Sequence, residues 1–231
     1  MDDLPWMLLA SALSVGLVFG YVIQRGGFCL TRALSNVVLM RDGNILRAYV
    51  LALLVAMVGV QIVEAIGLVD IPLRPLRWLS SIVGGALFGV GMILAGGCSA
   101  STWYRVGEGA VGALVVLVGF AIGATTAGIG VLAPIRTMLQ RPVISLGDGG
   151  AVTLPGVTGA SPWIVIAGLL VLGAIWLRRG RREPEHGTWR WPVTGVAVGM
   201  MIVIGWWASA LGDHPVGITF AANTGHLLTY P

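Results

Sequence analysis

The sequence predicts an all-α polytopic membrane protein of about six transmembrane helices, with Gly-rich re-entrant segments and an internal repeat at an offset of 69 residues. Three observations lead there. Hydrophobic residues make up 56% of the chain and charged residues only 10%, whereas a soluble domain carries about 25% charged residues. Apolar stretches recur at lengths that suit a bilayer. Both cysteines of the chain, Cys29 and Cys98, lie in matching Gly-rich segments.

The apolar stretches run over about 5–23, 45–67, 79–95, 111–133, 161–177 and 192–211. Each is roughly long enough to cross a hydrocarbon core of about 30 Å at 1.5 Å per residue. Those at 79–95 and 161–177 are at the short end, and the first of them runs straight into the Cys98 segment. The 231 residues leave no room for a separate soluble domain, so residues 1–231 read as a single transmembrane domain. Met1-Asp2-Asp3 lacks the basic start of a cleaved signal peptide, so the first stretch is expected to stay as a helix.

Topology follows from arginine, because the 14 basic residues include no lysine. Alternating spans place ten of the 14 on one side: Arg25, Arg32, Arg41, Arg47, Arg105, Arg178, Arg179, Arg181, Arg182 and Arg190. Arg74, Arg77, Arg136 and Arg141 fall on the other. The richer side is expected to be cytoplasmic and the N-terminus periplasmic. The Arg-rich loop at 178–191 casts the strongest vote. This use of arginine explains the net charge of +4 without nucleic acid. The segment 134–160 holds Pro134, Pro142 and Pro155 with Gly147-Asp148-Gly149-Gly150, and it reads as an external loop.

The repeat pairs Gly16 with Gly85, Phe19 with Phe88, Gly20 with Gly89, Gly27 with Gly96, and Cys29 with Cys98. The implied units are about 5–67 and 79–133. Repeats of this kind build transporter folds around a shared site. Against this, Gly-rich apolar helices resemble one another by composition alone.

Each cysteine follows a glycine pair, Gly26-Gly27 or Gly96-Gly97, and hydroxyl residues come after it: Thr31 in the first segment, Ser99, Ser101 and Thr102 in the second. Paired glycines break helices, and hydroxyl residues favour the N-cap of a resumed one. A broken helix at membrane depth is tolerated only where it lines a cavity or packs in protein. The resumed helix offers N–H donors and a positive dipole end to an anion. A cysteine there gains thiolate character. A single buried cysteine is more often just a small hydrophobe; two in the same setting favour function.

Arg105 and Glu108 either attract an anion at the mouth of a path or form a surface ion pair. Glu64, with Gln61 near it, falls inside the second stretch, where an ionisable group is a functional candidate; snorkelling to the interface explains it more simply. His186, His214 and His226 form no metal-ligand spacing with the cysteines. The tryptophans, such as Trp6, Trp78, Trp163, Trp189 and Trp191, cluster near span ends as an aromatic belt. No nucleotide-binding loop, nucleophile elbow or zinc motif is present, so no cofactor, metal or catalytic residue is expected.

At Gln24-Arg25-Gly26-Gly27-Phe28-Cys29, and along Gly91-Met92-Ile93-Leu94-Ala95-Gly96-Gly97-Cys98-Ser99-Ala100-Ser101-Thr102-Trp103-Tyr104-Arg105-Val106-Gly107-Glu108-Gly109, the chain resembles the YeeE/YedE family of bacterial membrane proteins. That resemblance implies import of thiosulfate or a related small sulfur-containing anion across the inner membrane. It also implies an hourglass of helices with re-entrant segments meeting at its centre, and cysteines that hand the anion along. Cys29 and Cys98 match two such cysteines, and a third has no counterpart here. Family members run well past 300 residues, so the chain is expected to be a partial product or half of a pore. A TusA-like cytoplasmic sulfur carrier often accompanies the family.

The expected path is then lined by Cys29, Cys98, Gly27, Gly96, Gly97, Ser99, Ser101, Arg105 and Glu108, with relay by S–H hydrogen bonds. Two other functions fit the residues less well. One is a membrane thiol–disulfide oxidoreductase, which needs the cysteines within bonding distance and an electron partner. The other is a half-pore subunit that is inactive alone.

Overall fold

A computed structural model describes residues 4–68, 77–142, 161–179 and 189–210. The ordered elements are helical: α1 (Leu4–Gly26), α2 (Leu30–Ser35) with a π-helical turn (Asn36–Met40), α3 (Asn44–Ala65), α4 (Trp78–Leu94), α5 (Ser99–Gly107), α6 (Val111–Gly128), α7 (Ala133–Gln140), α8 (Pro162–Arg179) and α9 (Trp191–Ala210). Among the described residues, five segments are long and apolar enough to span a membrane: Ala12–Met40, Asn44–Ala65, Trp78–Gly107, Val111–Gly128 and Trp191–Ser209. The sixth expected span forms a shorter apolar helix over Pro162–Arg178. The chain is an all-α polytopic membrane protein. Leu87, Ile93 and Leu94 of α4 are exposed at 69%, 74% and 83%, a surface that water would not tolerate and lipid does.

Two of the five segments pass through a break. One separates α1 from α2, and the other separates α4 from α5. The helices nevertheless stay close to the sequence boundaries, because apolar length sets them.

The chain divides into two compact units rather than one. The first holds α1, α2, the π turn, α3, α9 and all but the first turn of α8; the second holds α4 to α7.

In the first unit α9 packs along α3 and also meets α1. The α3–α9 seam is made of small residues four apart. Ala48, Ala52 and Ala56 of α3 are all buried, and Gly195 and Gly199 of α9 face them. A β-carbon on Gly195 would lie 2.9 Å from the Ala48 carbonyl oxygen, and one on Gly199 would lie 2.9 Å from that of Ala52. One end of the seam is completed by Gly59 against Val203, and Gly26 of α1 lies tightly on Thr194. Small residues let two backbones approach in lipid, where dispersion rather than water exclusion drives association.

In the second unit α5 packs on α6, and α7 contacts both α4 and α6. Helix α7 departs from the sequence reading, which treated 134–160 as loop throughout. Pro134 stands in its first turn, where a proline starts a helix rather than breaking one. The Arg136 guanidinium donates to the Gly128 carbonyl at 3.3 Å, tying α7 to the end of α6. The turns expected around Gly147–Gly150 lie outside the described residues.

The seam makes a test possible. Gly199→Leu drives a side chain into the Ala52 backbone, so it is expected to cost about 1–3 kcal/mol as an overpacking change. Thermal unfolding in detergent should show a lower midpoint for Gly199→Leu than for Val196→Leu, which changes an exposed position of the same helix.

Candidate functional site

The two breaks share one backbone design. The turn after α1 holds Gly27 at φ 57°, and the turn after α4 holds Gly96 at φ 65°. At the first, the Gly27 N–H donates to the Gln24 carbonyl at 3.1 Å and the Phe28 N–H to that of Ile23 at 3.0 Å. At the second, the Gly96 N–H donates to the Ile93 carbonyl and the Gly97 N–H to that of Met92, both at 3.2 Å. This pair of bonds is the Schellman motif, which closes a helix C-terminus through a left-handed residue and satisfies carbonyls that would otherwise be orphaned. All four residue pairs stand at the offset of 69.

The cysteine then sits at the N-cap of the next helix. Cys29 has φ −136° and ψ 120°, and Cys98 has φ −81° and ψ 164°. Each cysteine carbonyl accepts the first helical bond, from the Ala33 N–H at 2.9 Å and from the Thr102 N–H at 3.0 Å. Both thiols are buried and neither is in a disulfide. Hydroxyl residues were expected to act as the caps. Instead the cysteine occupies the cap position, and the hydroxyls turn back onto its carbonyl. Ser101 Oγ donates to the Cys98 oxygen at 2.9 Å and Thr102 Oγ1 at 3.0 Å.

Within the second unit the expected residues gather round Cys98. Arg105, in the last turn of α5, reaches back to donate from Nη1 to the Gly96 carbonyl at 3.2 Å. This places a guanidinium beside the left-handed turn. Ser101 is 1% exposed, and its Oγ would be only 2.7 Å from a β-carbon on Gly97, so Gly97 is required by close approach. Gly96 is required by its positive φ. Ser99 and Thr102 face a cavity of about 770 Å³ that α4 and α6 also line. Glu108 stands at the exposed C-cap of α5.

Within the first unit Cys29 and Gly27 sit beside Phe28, whose ring stacks on Tyr49 with centroids 3.8 Å apart. Phe28 stands where the second break has Gly97, and it fixes that turn by packing. Glu64 is exposed near the end of α3 and accepts from Gln61 Nε2 at 3.4 Å, the arrangement of an interfacial pair. His186, His214 and His226 lie outside the described residues, and no cluster of metal-ligating side chains occurs among the described ones.

Sequence reasoning missed several groups. Asn44 and Arg47 are buried at the start of α3, and Arg47 Nη1 donates to Asn44 Oδ1 at 3.4 Å. The arginine had been counted only as a topology charge; its place at the lip of an apolar stretch was the available signal. Thr31 Oγ1 and Trp103 Nε1 are buried with no hydrogen-bond partner among the described residues. The first lies two residues after Cys29 and the second five after Cys98, so each resumed helix carries an unsatisfied polar group.

These features define a class of protein: a polytopic α-helical membrane protein whose spanning segments are interrupted at buried cysteines. The family model for sulphur transport matches residues 25–231, and the chain belongs to that family. It is 29% identical over 222 residues to the thiosulfate transporter TsuA of Spirochaeta thermophila, covering 91% of this chain and 66% of that protein. It is 25% identical over 241 residues to the thiosulfate transporter TsuA of Escherichia coli, covering 96% and 67%. The probable transporter YedE of Escherichia coli is 30% identical over 133 residues, covering 53% and 32%. The chain therefore spans about two thirds of the length of the two thiosulfate transporters.

The Cys98 turn invites a double substitution. Gly97→Ala is expected to destabilise the protein by about 1–3 kcal/mol through its collision with Ser101. Adding Ser101→Ala removes the colliding oxygen and should recover much of that loss. Gly96→Ala, strained by its φ at a cost of about 1–2 kcal/mol, should gain nothing from Ser101→Ala. Unfolding midpoints of the three single variants and the two double variants check this.

Proposed function

We propose that this protein takes part in importing thiosulfate, or a closely related small sulfur-containing anion, across the bacterial inner membrane. The observation that carries the reading is the recurrence of one device at both cysteines: a Schellman-closed helix end, a buried cysteine N-cap and a resumed helix. Membership of the sulphur transport family and similarity to two thiosulfate transporters supply the substrate class.

The chemistry suits a dianion that must be held and then released. The first N–H groups of α5 have no intrahelical acceptor, and the helix end presents a partial positive charge of about half an elementary unit. The Arg105 guanidinium, held at the Gly96 carbonyl, adds a full charge. A thiol donates weakly through S–H, and the terminal sulfur of thiosulfate is a soft acceptor. The anion passes Cys29 and Cys98 by hydrogen bonding, and no covalent bond forms or breaks. The path comprises Cys29, Cys98, Gly27, Gly96, Gly97, Ser99, Ser101 and Arg105. Glu108, at the exposed end of α5, stands at its mouth.

The Arg-rich side faces the cytoplasm and the N-terminus faces the periplasm. A TusA-like sulfur carrier is the cytoplasmic partner that receives the imported sulfur. Most of the Arg-rich loop at 178–191, which fixes that topology, lies outside the described residues.

Uptake of radiolabelled thiosulfate into cells lacking other sulfate and thiosulfate importers tests the reading. Cys98→Ala and Cys29→Ala should each lower uptake at least tenfold at unchanged membrane abundance. Arg105→Ala should lower it more than Arg105→Lys, because lysine keeps the charge. Wild-type uptake by both cysteine variants, or a stable mixed disulfide during turnover, would sink the relay. Periplasm-active and cytoplasm-active reporters fused at the N-terminus check the topology; only the periplasmic one should be active.

A further inference from the structure

The turn from α2 to α3 is built differently from the turn from α5 to α6, and the cysteine breaks do not require the difference. At the offset of 69, Val38-Leu39-Met40 stand at the positions of Gly107-Glu108-Gly109. The second unit leaves α5 through Gly109, which adopts the left-handed conformation at φ 86° without strain. The first unit winds a π-helical turn over Asn36–Met40 instead. The left-handed position then falls one residue further on, at Arg41, with φ 57°. Arg41 is the one non-glycine residue at positive φ among the described residues. A β-carbon is strained there. Such strain points to a use for the side chain that carries it, and single π turns occur mostly at functional sites.

The side chains of this turn divide by chemistry. Val38, Leu39 and Met40 are exposed at 77%, 78% and 73%. The apolar spanning segment ends at Met40, so Arg41 is the first residue past it, where hydrocarbon gives way to headgroups. The Arg41 side chain is exposed and makes no hydrogen bond, ion pair or ring contact among the described residues. The adjacent carboxylate is engaged elsewhere: Asp42 Oδ1 accepts the Asn44 N–H at 2.9 Å, at the start of α3. An unpaired guanidinium next to three exposed apolar side chains complements a phospholipid. The planar fork of arginine matches a phosphate, and the apolar side chains match its acyl chains. A zwitterionic headgroup carries an ammonium that competes with the guanidinium for the phosphate, whereas an anionic one does not.

We propose that the π turn and Arg41 form a binding site for an anionic phospholipid. The Arg41 guanidinium holds the headgroup phosphate, and Val38, Leu39 and Met40 pack against the acyl chains. Glycine would suit the backbone of this turn better, as Gly109 does in the second unit, but it would give up the phosphate contact. The site depends on this turn and not on the identity of the transported anion.

The experiment purifies the chain in mild detergent, adds equal amounts of phosphatidylglycerol and phosphatidylcholine, and counts bound lipid by native mass spectrometry. Phosphatidylglycerol should be preferred. Arg41→Gly should lower that preference about fivefold, the worth of one arginine near an anionic surface. Without added lipid, Arg41→Gly should unfold at a higher temperature than the wild type, because glycine relieves the left-handed strain; lost lipid then reports a lost contact and not misfolding. Arg141→Gln, which removes an exposed arginine at the end of α7, should leave the preference unchanged. An unchanged preference in Arg41→Gly would overturn the proposal. So would an equal loss in Arg141→Gln, which would reduce the effect to net charge, or a lower unfolding temperature for Arg41→Gly. Displacement of phosphatidylglycerol by inorganic phosphate at equal concentration would also overturn it, since the site would then take a free anion.

Discussion

A polypeptide that interrupts its helices at membrane depth must satisfy the backbone groups it exposes, because lipid supplies no partners. This constraint organises the protein. At each cysteine the carbonyls at the end of one helix are closed by N–H groups of its Schellman turn, and the carbonyl of the cysteine takes the first bond of the next helix. What remains open are the N–H groups at the start of the resumed helix. They are donors by geometry and positive by dipole. The requirement to close a helix end thus creates the electrostatic feature that can attract an anion.

The two units meet that constraint with different side chains. Around Cys98 the turn is held by polar contacts: Ser101 and Thr102 on the cysteine carbonyl, and Arg105 on that of Gly96. Around Cys29 it is held by packing, through the Phe28–Tyr49 stack and the close seating of Gly26 on Thr194. The first unit also has a full helix seam, in which Ala48, Ala52 and Ala56 meet Gly195 and Gly199. The backbone pattern is common to both units; the means of fixing it in place is local to each.

Much of this was legible in the sequence. Apolar length located the helices, so that the stretch read at 45–67 became Asn44–Ala65 and that at 79–95 became Trp78–Leu94. Glycine pairs located both breaks, since only glycine adopts the left-handed turn without strain. Less was legible where one residue type serves two purposes. Pro134 looked like a loop marker and starts a helix. Arg47 looked like a topology charge and is buried beside Asn44. Ser101 and Thr102 looked like caps and instead brace the residue that is the cap.

The sequence by itself determined the membrane class, the placing of the helices and the position of the two breaks. These depend on local properties: apolar length, glycine and the offset between the cysteines. Only the tertiary structure decided that α9 and not a nearer helix covers α3, and that Arg105 turns back to Gly96. It also showed that a groove of about 770 Å³ lies between α4 and α6, beside the Cys98 break. Those facts depend on which backbones approach closely enough to exclude a β-carbon, a distance between residues remote in the chain.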